Sequence, residues 1–325
     1  MNPNVPAPSP PNANAMQAAA PKAGPRATIR FMLKYKTLYL LAIPGVLYFL
    51  VFKYVPLLGS VIAFQNYNLF KGFTGSPWAG LEHFQKMFAH YDFLRILKNT
   101  IYLGLLDIAL AFPAPILLAL LLNEVRKLAF KRTVQTIIYA PHFLSWVIIS
   151  GIFVGILSPS SGFVNEMLGW FGVEPIYFLV ENAWIRPVLV GSGIWRDVGY
   201  GTIIYLAALT SINPELYEAA EMDGANRWKQ TLAITLPSLL PVITVLFLLK
   251  IGDFLDFGFE RVFVFQNSLN LGSSEILDTF IYKAGLQQMQ YSYATAIGLF
   301  KSVVGLTLLV IANTLSRKAT GESLY

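Results

Sequence analysis

Lys250, Asp253 and Asp256 stand at i, i+3 and i+6 near the end of an apolar run, and this spacing would put three ionisable groups on one side of a helix. Two carboxylates so close could share a proton and perform acid–base hydrolysis, as in an aspartyl protease. The flanking Ile251-Gly252-Asp253 lacks the GxGD pattern of the intramembrane enzymes, and no second Tyr-Asp motif accompanies it. Two other readings stay open: the groups line a polar translocation path, or they pair locally, for example Lys250 with Asp253, and fix the helix against its neighbours.

A second polar group, Trp195-Arg196-Asp197, is set among Gly191, Gly193, Gly199 and Gly201, glycines that permit close helix approach. His142, Ser145 and Trp146, with Asp107 and Lys301, add further polar points within apolar stretches. Trp146 would suit stacking on a sugar ring, while interface anchoring accounts for many membrane tryptophans. Trp146, Arg196, Asp197, Lys250, Asp253 and Asp256 are the candidate lining of a substrate path.

Other chemistry is missing. No G-x-x-x-x-G-K-[ST] stretch occurs, so phosphates are not cradled in the P-loop manner, and neither G-x-S-x-G nor H-E-x-x-H is present. The sequence therefore predicts no catalysis, no metal and no cofactor in this chain. Zero cysteines exclude disulfides and thiolate metal sites, and His83, His90 and His142 lack ligand spacing.

The elements that must hold these residues are membrane helices. Hydrophobic residues make up 55% of the 325 and charged residues 13%, with a mean hydropathy of +0.55, which is too apolar for a soluble chain. A crossing needs about 20 apolar residues. Runs at 38–64, 99–122, 134–157, 187–209, 238–257 and 293–315 predict an all-α integral membrane protein of about six spans.

Basic residues fix the expected orientation. Arg26, Arg30, Lys34 and Lys36 precede the first span, Arg126, Lys127, Lys131 and Arg132 follow the second, and Arg317 and Lys318 follow the sixth, so both termini are expected in the cytoplasm. The 158–185 segment carries Glu166, Glu174 and Glu181 with no Lys, as an outside loop should. Lys71, Lys86, Arg95 and Lys98 fit less well, because they fall on the expected outside. Residues 1–25, rich in Pro, Ala and Asn, read as a disordered tail without a signal-peptide core, and 26–37 as a basic segment that lies in the lipid interface or simply stops before the first span. A net charge of +6 at these edges suits anionic lipid, and no basic face interleaved with aromatics predicts nucleic-acid binding.

Between the fourth and fifth spans lies PELYEAAEMDGANRWKQTLAITLPSLLP, residues 214–241. Asn213 and Pro214 predict a helix start, Gly224 its end, and a second helix from about Asn226 carries Trp228, Leu232 and Leu236 towards Pro237. Glu218, Ala219, Ala220, Asp223, Gly224, Ala225 and Pro237, with Ile234 and Leu236, resemble the EAA loop of permease subunits in binding-protein-dependent ABC importers, although Thr231 and Ala233 stand where relatives carry bulkier residues. DFLDFGFERVFVFQN at 253–267, QYSYATAIGLFKSVVGL at 290–306 and the tail GESLY extend the resemblance to the polysaccharide-uptake branch, the alginate-importer permeases most of all.

The resemblance implies the type I importer permease fold as one domain over 38–325, with a coupling element at 213–237, in the bacterial inner membrane. It implies a second, similar permease, two ATPase subunits that use ATP and Mg, and an extracytoplasmic solute-binding protein. It also implies an oligosaccharide cargo, with acidic alginate fragments ahead of neutral ones. From the residues alone, a proton-coupled secondary transporter using Lys250, Asp253 or Asp256 is the rival, disfavoured by the absence of evident inverted halves.

Overall fold

In the computed structural model the described residues are 34–320, with side chains described through Lys318. The expected tail, the basic segment through Leu33 and the GESLY motif lie outside them. The described chain is helical, with no strand and a single isolated bridge between Gln65 and Trp78. Its contacts divide it at Gly59 into two units. The described part of the first is helical throughout, running through Pro44 and a wider π-turn at Leu50–Tyr54. It begins the helix Lys36–Phe64, here α1, which matches the first expected span.

The second unit contains the remaining long helices. These are α2 (Phe93–Asn123), the pair α3 (Leu128–Phe143) and α4 (Trp146–Ile156), α5 (Asn182–Thr210), the short α6 (Glu215–Met222), α7 (Arg227–Gly252) and α8 (Tyr291–Thr320). Among the described residues four helices, α1, α2, α7 and α8, are long and apolar enough to cross a membrane, or five if the bent pair counts as one span.

Three expected spans differ from the sequence reading. The run at 134–157 is not one rod, for α3 and α4 meet at 107°. Pro141 sits in a 3₁₀ turn at Ala140–Phe143, where the ring removes a donor, and Ser145 restarts the chain by accepting the Ile148 amide on Oγ at 3.3 Å. The expected fourth span is present as the 29-residue α5, yet its composition falls below that of a lipid-facing span. Protein takes the place of lipid around it. Ile185, Val188, Leu189 and Val190 enter a buried cluster with Leu103, Phe257, Val262 and Ile276, while Tyr205 and Leu209 enter another with Ile116, Ala119 and Leu239. Arg196 and Asp197, between those clusters, pair with each other at 3.3 Å.

Close packing along α5 depends on its glycines at particular places. A Cβ on Gly199 would stand 2.0 Å from the Ile138 carbonyl oxygen, and one on Gly193 2.4 Å from the Arg261 guanidinium carbon. The expected fifth span at 238–257 is also shifted. α7 starts at Arg227, passes Pro237 after a π-turn at Thr231–Thr235 that absorbs the missing donor, and ends at Gly252.

Candidate functional site

The end of α7 changes the geometry expected for its charged residues. Asp253 caps the helix, Asp256 closes a following turn by donating its amide to the Asp253 carbonyl at 2.8 Å, and Gly258 continues at φ +100°. Lys250, Asp253 and Asp256 therefore do not share one helical side. Nor does Lys250 pair with Asp253. Its Nζ lies 2.5 Å from Asp107 on α2, and Asp253 is exposed without a partner.

What the sequence spacing missed, the fold supplies. Trp146, Arg196, Asp197, Lys250, Asp253 and Asp256 come from three separate segments and all line one cavity of about 480 Å³. Asp107, Phe257 and Arg261 complete its polar and aromatic wall. Trp195, the neighbour of Arg196, is outside the lining and packs edge-on to Phe153, so that expected polar group splits.

Asp107 is the electrostatic centre of the wall. The Arg261 Nη1 donates to its Oδ1 at 3.1 Å while Lys250 holds Oδ2, and the Arg261 Nε donates to the Leu189 carbonyl at 2.7 Å. Arg261 is almost wholly buried, 3.9 Å above the Phe257 ring centre. Such a cation requires its counter-charge, because burying it unpaired would cost several kcal/mol. Gly193 leaves the space that the guanidinium fills.

A second set adjoins it through Trp146, whose ring centre is 5.9 Å from the Arg261 guanidinium. The Arg196 guanidinium lies 4.9 Å from the Trp146 ring centre and 3.3 Å from Asp197, which also meets the His142 Nδ1 at 2.9 Å. His142 stacks flat on Tyr200 at 3.9 Å between ring centres. Asp256 is met at 3.4 Å by Lys301 of α8, whose ammonium also bonds Asp278. The lining thus has carboxylates already engaged by cations, one free carboxylate at Asp253, and an aromatic ring beside a guanidinium. This arrangement makes distributed polar contacts and contains no nucleophile–base pair.

The loop after α5 forms the second site. The Asn213 Oδ1 accepts the Glu215 amide at 3.1 Å and opens α6. Its far end is a Schellman closure: Gly224, at φ +76°, donates to Glu221 at 3.0 Å, and Ala225 donates to Ala220 at 2.8 Å. The Asn226 Oδ1 then caps α7 by accepting the Lys229 amide at 2.9 Å. The turn is tied down by Tyr217 to Thr235 at 2.9 Å and by Gln230 to the Ala225 carbonyl at 3.2 Å. Glu218, Ala219, Asp223 and Gly224 are exposed, Ala220 and Ala225 half-buried, and Pro237 lies inside α7. Met222 is 89% exposed and Trp228 69%, so the loop presents large apolar side chains ringed by charge. Surfaces of this kind mark protein contacts.

Residues 111–321 match the family described as the inner membrane component of binding-protein-dependent transport systems. The chain is 51% identical over 294 residues to the polygalacturonan/rhamnogalacturonan transport system permease protein YteP of Bacillus subtilis, covering 90% of this chain and 92% of that one. It is 48% identical over 290 residues to the protein LplB of the same organism, covering 89% and 91%. Among solved structures, a bacterial alginate ABC transporter in complex with an alginate pentasaccharide-bound periplasmic protein contains a chain 40% identical, with a TM-score of 0.84 over 91% of this chain and 99% of that one. A charged helix-turn-helix between spans, a polar cavity and these similarities agree: the chain belongs to the binding-protein-dependent transport system inner membrane components, the permeases of ABC importers.

Proposed function

We propose that this permease passes oligosaccharides bearing hexuronate units into the cytoplasm by alternating access. The observation that carries the reading is the cavity: Arg196 against Trp146, and Lys250 and Arg261 around Asp107, combine a ring face with cations beside a sugar-sized space. Relatives named for polygalacturonan/rhamnogalacturonan and for the acidic polysaccharide alginate support a uronate cargo, since a carboxylated sugar is common to them. Alginate fragments and galacturonate fragments are the two members of that class to compare. Neutral oligosaccharides are the second reading, favoured by 29% identity to the galactooligosaccharides transport system permease protein GanP of Bacillus subtilis. Family membership replaces the proton-relay alternative.

A transport path must release what it binds, so weak and spread contacts suit it better than one tight pocket. Asp107, Asp197 and Asp256 would each repel a uronate, but each is met by a cation, which leaves Asp253 as the unscreened carboxylate.

The coupling element is the 213–237 loop. The exposed Glu218 and Asp223 and the apolar Met222 suit a groove on an ATPase subunit, with Gly224 setting the turn. ATP and Mg act there, in the partners. Closure of two ATPases would move α6 and shift the balance between inward-facing and outward-facing states, while a second similar permease completes the path and a solute-binding protein delivers cargo. The test is ATP hydrolysis by the assembled complex in lipid with its binding protein. Uronate oligomers should stimulate it and neutral oligomers should not; the reverse result would overturn the cargo class and leave the importer assignment standing.

A further inference from the structure

We propose that a groove between α2 and α5 is a binding site for one anionic phospholipid, held by a phosphodiester whose charge no headgroup ammonium neutralises. This does not depend on the cargo. The groove has a volume of about 320 Å³ and is lined by Lys98, Asn99, Ile101, Tyr102, Leu105 and Arg186. Lys98, Ile101, Tyr102 and Leu105 fall at i, i+3, i+4 and i+7, so they form one stripe along α2 with the cation at its end. Tyr102 is 47% exposed and Leu105 53%. The stripe therefore offers a charged head and an apolar track beneath it.

Arg186 is fixed at the head of that track. Its Nη2 donates to the Asn99 Oδ1 at 2.8 Å, and its guanidinium stands 4.8 Å over the Tyr102 ring. Asn99 is itself locked, donating to the Gly272 and Glu275 carbonyls at 3.0 and 3.1 Å. The carboxylates of Asp92 and Glu275, on the elements that pack around Asn99, are engaged by other cations. Glu275 is taken by Arg95 at 3.2 Å and Lys283 at 2.8 Å, and Asp92 by Arg95 at 2.9 Å. Lys98 is exposed and has neither an ion pair nor a hydrogen bond.

Depth agrees with the chemistry. α2 has 31 residues and is about 46 Å long at ~1.5 Å per residue, against about 30 Å of hydrocarbon. About 8 Å of overhang at each end puts Lys98, six positions into the helix, at the boundary between headgroups and acyl chains. Arg186, five positions into α5, reaches the same level through Asn99. A lysine or arginine beside an anionic membrane surface contributes about 1 kcal/mol, or about fivefold in affinity, and the same charge attraction acts on an anionic headgroup in this leaflet. The site also accounts for Lys98 on the side where the orientation rule expects few cations.

The assembled importer, purified in detergent, would be titrated with phosphatidylglycerol and with phosphatidylcholine, and lipid adducts counted by native mass spectrometry. Lys98→Gln changes an exposed side chain, so folding is not at issue; it should weaken phosphatidylglycerol binding about fivefold and leave phosphatidylcholine unchanged. In parallel, a benzoylphenylalanine placed at Leu105 should crosslink to phospholipid in native membranes. Undiminished phosphatidylglycerol binding in Lys98→Gln overturns the proposal, and so does a Leu105 crosslink to another subunit in place of lipid.

Discussion

Asp107 and Arg261, 154 residues apart in the chain, form a buried ion pair at 3.1 Å. Each is under a tenth exposed, so removing one leaves the charge of the other largely buried. Asp107→Asn should therefore destabilise the complex by about 3 to 5 kcal/mol, as loss of one partner of a buried pair does. Replacing both, Asp107→Leu with Arg261→Met, should restore most of that loss, because Lys250 is 35% exposed and can reach water. Thermal unfolding of the purified complex, followed by tryptophan fluorescence, measures both, and an unchanged midpoint in Asp107→Asn would refute the pair's structural weight.

The glycines of α5 separate into those that touch and those that do not. A Cβ on Gly191 meets nothing within 4 Å, whereas one on Gly199 drives into the Ile138 backbone at 2.0 Å. Gly191→Ala should change stability by less than about 1 kcal/mol, the scale of helix propensity. Gly199→Ala should cost about 1 to 3 kcal/mol by forcing α3 away. The same unfolding measurement distinguishes them, and equal effects would contradict the packing described.

Local features were readable from the sequence and long-range ones were not, for a physical reason. The 213–237 loop is built from contacts between residues no more than five apart at its caps: Asn213 to Glu215, Ala225 to Ala220, Asn226 to Lys229. Spacing and residue type suffice to predict such bonds. Lys250 instead chose Asp107 over Asp253, since a helix that ends at Gly252 turns Asp253 away, and only the tertiary fold brings α2 alongside. Arg261 went unremarked, although a signal was present. It is a lone cation among Phe259, Val262, Phe263 and Phe265, and Asp107 is the lone acid of an apolar run; intramembrane charges of opposite sign need each other. The 107° break after Pro141 was hidden for a different reason. A proline inside a long apolar stretch is compatible with a kink as well as with a corner, and Ser145 decides for the corner by capping a new helix.

The left-handed turn at Gly224 sets the shape of the proposed coupling element. Proline fixes φ near −65°, which cannot reach +76°, and it deletes the amide that bonds Glu221. Gly224→Pro should abolish uptake while the permease still inserts, because the change lies in an exposed loop. Glu218→Lys should do the same through charge reversal at a solvent-facing position. Immunodetection of the membrane-bound chain, together with cargo-stimulated ATP hydrolysis, separates coupling from insertion; normal stimulated hydrolysis in both variants would remove the loop from the coupling role.

Orientation follows from joining the fold to the charge count. Gly272 lies against Asn182 at the start of α5, so the 158–181 loop and the 271–275 segment share one end of the unit. α5 then runs about 43 Å over its 29 residues to Thr210, three residues before the loop that begins at Asn213. That separation exceeds the hydrocarbon thickness of about 30 Å, so the two ends must lie on opposite sides. Arg126, Lys127, Lys131 and Arg132 in the short connection after α2 predict that the α6 end faces the cytoplasm. Reporter fusions after Lys127 and Ala225 should be active only as cytoplasmic reporters, and fusions at Glu174 and Ser273 only as exported ones. An exported reporter at Ala225 would put α6 out of reach of any ATPase and end the coupling proposal, whatever the identity of the cargo.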